Sequence, residues 1–238
     1  AFGILWAILK DKFKAKFAIP VLGLLMFTDI ILVDTRYITH DSFKPKKNVD
    51  ANFTPSNADL EILKDTDPNY RVLNLSSNIF NDATTSYFHK SIGGYHGAKL
   101  KRYQQLTENV LFSEIQVLQS SFSMGSMDSI TANFAKLKAI NMLNTKYFIV
   151  PGQNNVSFPI RNPYALGNAW FISNPVIVED ADAELGNIRN ADFNPAQTAF
   201  INKKYADFVN NFKPGIDSSA SIRLKSYKPN ELIYESQS

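Results

Sequence analysis

DSITANFAKLKAINMLNTKYFIVPG, Asp128 to Gly152, is the stretch from which the fold is read. Asp128 is of the residue type that caps a helix start by accepting from its free amides. Ile130, Phe134, Leu137 and Leu143 then form a stripe at helical spacing, and Asn144 suits the helix end. Tyr147 to Val150, YFIV, changes the period: four apolar residues of strand type run together and stop at Pro151-Gly152. A helix delivering the chain into a strand of the buried type predicts an α/β layer.

Upstream, Leu100, Tyr103, Val110, Leu111, Ile115 and Leu118 recur at helical spacing, so Ala98 to Gln119 predicts one or two amphipathic helices. Arg71 to Leu75, RVLNL, alternates as a short strand. Before it, Ser56 and Asp59 have the spacing of a capping box, opening a helix from Asn57 to Asp65 that Asp67-Pro68 stops. Downstream, Ala169 to Ile172 and Val176 to Val178 read as strands on either side of Asn174-Pro175, and Ala181 to Asn190 as a helix. Thr198 to Ile201 fits strand or helix, since short apolar runs do not discriminate. Ser221 to Tyr227 and Glu231 to Glu235 alternate across Lys228-Pro229-Asn230 as a hairpin. Residues 56–238 therefore predict a mixed α/β domain, with strands too few for a barrel. His40 to Pro55 has linker composition, which puts a boundary at residues 39–55.

The N-terminal residues 1–38 are of another kind. FGILWAIL leads into KDKFKAK and then into FAIPVLGLLMFTDIILV, Phe17 to Val33. As a helix the second run is roughly 25 Å long, slightly short of a ~30 Å hydrocarbon core unless Asp34 to Ile38 extends it. Asp29 and Pro20 favour a buried helix of a soluble protein; the apolar run before the lysines favours a transmembrane hairpin. Lys10, Lys12, Lys14 and Lys16 sit in the tight turn, and Arg36, Lys44, Lys46 and Lys47 follow the span. Short loops weigh most in the positive-inside rule, so the lysine turn is the cytoplasmic side and the region after about residue 38 is exported. No small-residue cleavage site follows the run, against a signal peptide. Ala1, inside an apolar run, and Ser238, just after Leu232-Ile233-Tyr234, both read as cuts through a larger protein.

In bulk, 238 residues with 45% hydrophobic content suffice for a real core. Lys/Arg number 25 against 22 Asp/Glu, a net +3, which gives no single-sign field for nucleic acid. Zero cysteines exclude disulfides, thiolate metal sites and a Cys nucleophile, and fit either the cytoplasm or a bacterial envelope.

Chemistry concentrates in FNDATTSYFHKSIGGYHGAKLKRYQ, Phe80 to Gln104. His89 and His96, with Asp82 as a third donor, would be a metal set, but two histidines at this spacing match no zinc pattern. No cofactor follows from them, a divalent metal staying open. Gly93-Gly94 before a helix suggests anion binding with Lys99, Lys101 and Arg102, although neither phosphate-loop nor dinucleotide fingerprint is met; a solvated basic face is the plainer reading. Ser126 in SMGSM lacks the second glycine of a nucleophile elbow. Glu179, Asp180, Asp182 and Glu184 read as a helix N-terminal cluster.

RVLNL at Arg71 to Leu75, the Phe80 to Gln104 run, LNTKYFIV at Leu143 to Val150 and NPYALGNAWFI at Asn162 to Ile172 together resemble the YfhO family of many-spanning bacterial membrane proteins. That family is similar to GT-C glycosyltransferases, which take sugars from polyprenyl-phosphate carriers outside the cytoplasmic membrane. The resemblance implies a piece running from a late membrane hairpin into the extracytoplasmic domain, with membrane lipid, a polyprenyl-phosphate sugar and an envelope glycopolymer acceptor as partners. The alternative is a noncatalytic binding or assembly module; a third is a soluble cytoplasmic α/β protein. GT-C enzymes carry their catalytic acid in an early loop, so no catalytic residue carries over. Asn81, Asp82, Tyr87, His89, Lys90, Tyr95, His96, Lys99, Arg102 and Tyr103 match the family segment and are the candidate substrate-binding residues.

Overall fold

The computed structural model describes residues 2–50, 53–124, 127–209, 215 and 219–237. The chain forms two compact units, divided between Thr54 and Pro55.

In the first unit, α1 (Phe2–Leu9) turns into α2 (Ala15–Asp34), followed by a single 3-10 turn and α3 (Lys46–Asp50). Asp11 takes φ 54°, a conformation Asp tolerates better than most residues and one that lets the link be tight. Twenty residues make α2 about 30 Å long, so the expected shortfall against a bilayer core disappears once the helix runs from Ala15 through Asp34. The earlier start also puts Pro20 beyond the first turn, where it removes one bond of the ladder. Only Ala18 of α2 is buried.

The second unit is mixed α/β. In chain order it holds α4 (Asn57–Ile62), β1 (Arg71–Asn74), α5 (Thr84–Phe88) and α6 (Lys101–Leu106), which continues through a π turn into α7 (Phe112–Met124). Then come α8 (Met127–Phe134), α9 (Lys138–Met142), β2 (Thr145–Pro151), β3 (Ser157–Arg161) and β4 (Asn174–Val178). α10 (Ala181–Ile188), β5 (Thr198–Asn202), α11 (Ala206–Val209), β6 (Ser221–Lys228) and β7 (Glu231–Gln237) complete it. Among the described residues three small sheets result: β1-β2-β3, with β1 parallel and β3 antiparallel to β2; a parallel β4-β5 pair; and the antiparallel β6-β7 hairpin.

YFIV lies at the centre because β2 is the middle strand and apolar residues cover both its faces. Phe148 and Val150, with Leu73 of β1, join Leu111, Leu118, Phe134 and Ile140 in the main core. Val72, Ile149 and Tyr147 point the other way, against Ala58, Ile62 and Tyr70. A strand buried on both sides has no reason to alternate, which is why it reads as a continuous apolar run. Phe134 meets Phe148 edge-to-face at 4.8 Å, joining α8 to β2. Asn144 ends α9 in the left-handed region, φ 55°.

Local signals hold where they are self-contained. The Ser56–Asp59 box forms, with the Ser56 amide donating to Asp59 Oδ2 at 2.8 Å and the Asp59 amide to Ser56 Oγ at 3.2 Å. Asp180 caps α10 by accepting from the Ala183 amide at 2.8 Å. Some expectations need correction, and one strand was not expected. The stripe from Ile130 to Leu143 is two helices, because the chain turns at Ala135-Lys136 and restarts at Lys138 under an external cap: the Glu114 carboxylate accepts from the Ala139 and Ile140 amides at 2.9 and 3.0 Å. The upstream helix begins at Lys101 rather than Ala98. Ala169 to Ile172 is irregular chain, not strand, held from outside by the Trp170 indole N–H on the Pro195 carbonyl, 2.9 Å. The third strand is instead Ser157–Arg161, whose Pro159 lies on the edge strand, where a missing N–H is tolerated.

Candidate functional site

The Phe80 to Gln104 run is mostly a joint in the fold. Its centre runs along the free side of β1: the Val72 amide donates to the Lys90 carbonyl at 2.8 Å, and the Ile92 amide to the Val72 carbonyl at 3.2 Å. Ser91 thus pairs with Val72 as a one-residue parallel strand. Gly93 follows because a Cβ there would lie 2.1 Å from the Ile79 carbonyl oxygen, and Gly94 takes φ 111° while donating to the same carbonyl at 2.6 Å. The glycine pair is therefore required by a close backbone approach.

His89 is buried, and its Nε2 lies 3.0 Å from Asp59 Oδ1. Burial pushes its pKa below the ordinary value, with the Asp59 hydrogen bond and charge opposing, so the neutral imidazole donates from Nε2. Asp59 Oδ2 meanwhile accepts from the Ser56 hydroxyl at 2.7 Å. Serine, aspartate and histidine are thus in line with the carboxylate in the middle. Nucleophilic activation needs the histidine between serine and acid. The arrangement ties α4 to the strand-like Lys90–Ile92 segment and does not activate Ser56.

The ten candidates do not lie together in one place. Asn81 is exposed; Asp82 Oδ1 accepts from the Thr84 amide at 2.6 Å and starts α5. Tyr87, His89 and Lys90 line a cleft of about 570 Å³ together with Asp65 and Asp67. Lys90 donates to the Pro68 carbonyl at 2.6 Å, and its ammonium stands 3.7 Å from the Tyr227 ring centre on β6. Tyr95 is 70% exposed, and the exposed His96 accepts from the Ala98 amide at Nδ1, 3.0 Å. Lys99 lies over the Phe80 ring. Arg102 and Tyr103 border a second groove against α10, where Arg102 meets Glu184 at 3.1 Å. The Tyr103 hydroxyl donates to the Ile92 carbonyl, and burial raises it to about 12. The two histidines are thus engaged separately, and among the described residues no three His, Asp or Glu side chains group as metal ligands. Ser126 lies outside the described residues.

The most developed polar surface is one the sequence reading did not single out. Lys146 of β2 lies 2.6 Å from Asp65 Oδ2 and 3.2 Å from Asp67 Oδ2. Tyr147 donates to Asp65 Oδ2 at 2.8 Å, and the lysine also stands over the Tyr70 ring. The Lys146 hydrogen bond, helped by the Asp67 amide and Tyr147 and opposed by desolvation, holds Asp65 down at about 2. On the far side of this cluster a polar cleft of about 400 Å³ opens between the Asp67–Asn69 loop, the β2–β3 edge, the Pro163–Ala169 loop and the β6–β7 hairpin. Asn144 Nδ2 donates to the Asn69 carbonyl and to Asn168 Oδ1, the latter at 3.2 Å. Asn162 Nδ2 donates to Asn141 Oδ1 and the Thr145 carbonyl, both at 2.8 Å. Two of the sequence segments set apart above, LNTKYFIV and NPYALGNAWFI, supply most of this lining.

No protein-family model, curated protein or solved structure matches this chain.

Proposed function

We propose that the chain is the membrane-entry and extracytoplasmic part of a YfhO-like bacterial protein of the cytoplasmic membrane. In this reading, sugar moves from a polyprenyl-phosphate carrier to an envelope glycopolymer, the catalytic acid lies elsewhere in the protein, and the α/β unit handles the acceptor. The observation that carries it is α2, the one described helix long and apolar enough to cross a membrane, with mean hydropathy 2.0 and Ala18 its one buried residue. Leu24, Met26, Phe27 and Leu32 are each at least 60% exposed. In water such a surface would be an aggregation site; in hydrocarbon it is the expected face.

The chain has no cysteine, so single substitutions report topology without background. Lys12→Cys, in the lysine turn, should react with a membrane-impermeant maleimide only after permeabilisation, and Ser42→Cys, beyond α2, in intact cells. Release of the protein into the soluble fraction by carbonate would sink the membrane reading. Replacing the exposed His96 together with the half-buried Lys99, His96→Ala with Lys99→Ala, should abolish sugar transfer by the intact protein at unchanged expression; full activity would remove the motif from the acceptor side.

The second reading, a noncatalytic binding module, is favoured by the Ser56–Asp59–His89 order. That serine–acid–histidine contact is wired for structure.

A further inference from the structure

We propose that the polar cleft between the β2–β3 edge and the β6–β7 hairpin is a binding site for an uncharged saccharide. The site rests on its own geometry and gives the acceptor-handling reading a location.

Three features converge. First, the hydrogen-bonding groups are amides fixed before any ligand arrives. Asn144 is held by Asn69 and Asn168, and sits at the end of α9 in the left-handed conformation that fixes its backbone. Amide side chains offer both donors and acceptors, which suits hydroxyl groups that need both. Asn69, another residue of the lining, gives its backbone carbonyl to Asn144. Immobilised polar groups bind without an ordering cost at the moment of contact.

Second, the charges cancel. Lys146 and Arg161 bring two positive charges, and Asp67 with Asp65 behind it two negative ones, so the local sum is zero. Both carboxylates are already on Lys146. An anion site would present unbalanced positive charge and a bidentate fork aimed inward. Here a phosphate or carboxylate would meet Asp67 beside every cation but Arg161.

Third, one wall is apolar. Ile222 and Leu224 alternate onto the same face of β6, and Tyr234 of β7 is the cross-strand partner of Leu224. All three are half-buried. An aromatic ring beside aliphatic groups, opposite a row of amides, matches a pyranose ring, with its C–H face on one side and hydroxyl edge on the other. The volume of about 400 Å³ falls in the ~300–1,000 Å³ range of small-ligand sites.

The test uses the full chain purified in a zwitterionic detergent, because a maltoside headgroup would itself compete. Neutral trisaccharides of glucose, galactose, N-acetylglucosamine and N-acetylgalactosamine are titrated by saturation-transfer NMR and calorimetry, beside trigalacturonate and glucose 6-phosphate. At least one neutral trisaccharide should bind with Kd at or below about 1 mM. Asn168→Ala and Tyr234→Ala should each weaken it at least about tenfold with unchanged circular dichroism, a loss of ~1.4 kcal/mol. The proposal is overturned if no neutral trisaccharide binds, if a charged sugar binds more tightly, or if both variants bind like the parent. None of these outcomes bears on the membrane topology, which the maleimide experiment reads separately.

Discussion

Replacing Lys146 with methionine tests the electrostatics of the Asp65–Asp67 cluster. Methionine keeps most of the stem and deletes the ammonium, which lies 2.6 Å from Asp65 Oδ2 and 3.2 Å from Asp67 Oδ2. In the intact cluster Asp65 titrates at about 2 instead of 3.8, with the lysine as the largest cause. That shift, converted at ~1.36 kcal/mol per unit, sets a ceiling of roughly 2.4 kcal/mol. Both side chains are about one-fifth exposed, so screening reduces the net to about 1–1.5 kcal/mol at pH 7. The sign follows from linkage: a carboxyl whose folded pKa is depressed stabilises the fold above its unfolded pKa and loses that contribution as pH falls through its folded one. The parent and Lys146→Met should therefore differ most above pH 4 and converge toward pH 2. Chemical denaturation across that range gives the free energies, and carboxyl-carbon NMR gives the Asp65 midpoint, expected to rise by at least about one unit. An Asp65 midpoint that stays near 2 in the variant, or a stability gap that does not narrow on acidification, would refute the assignment.

Two paired substitutions separate structural from exposed positions in the motif run. His89→Ala should destabilise by about 2–4 kcal/mol, through the cavity and the lost Asp59 contact, whereas His96→Ala should leave the thermal midpoint unchanged; equal effects in calorimetry would contradict the burial assigned to His89. Gly93→Ala should be strongly destabilising, since its Cβ would overlap the Ile79 carbonyl, while Gly97→Ala, whose Cβ meets nothing within 4 Å, should be tolerated; a stable Gly93→Ala protein would mean that Gly93 does not pack against the Ile79 carbonyl as described.

The Asp128 to Gly152 stretch predicted the centre of the fold correctly because a strand buried on both faces carries its own signature. The Ser56–Asp59 box, the Asp180 cap, the Asn144 helix end and the β6–β7 hairpin were equally legible, each being completed within a few residues of itself. Errors arose where a distant partner intervened. The break before α9 depends on Glu114, Ala169 to Ile172 is held by the Pro195 carbonyl rather than by a strand, and Pro159 is allowed only because β3 is an edge.

The same division applies to the site. The apolar α2, the mixed α/β character of the rest and the chemical density of Phe80 to Gln104 are legible before folding, since they depend on composition and period alone. The folded chain adds that His89 is internal, that the glycine pair is a packing requirement and that the ten candidates do not meet in one place. It alone built the amide cleft, drawing on segments as far apart as Asn69, Asn144, Asn168 and Tyr234. Hydrogen bonds and charge balance between residues that distant exist only once the chain has closed, and no local pattern encodes them.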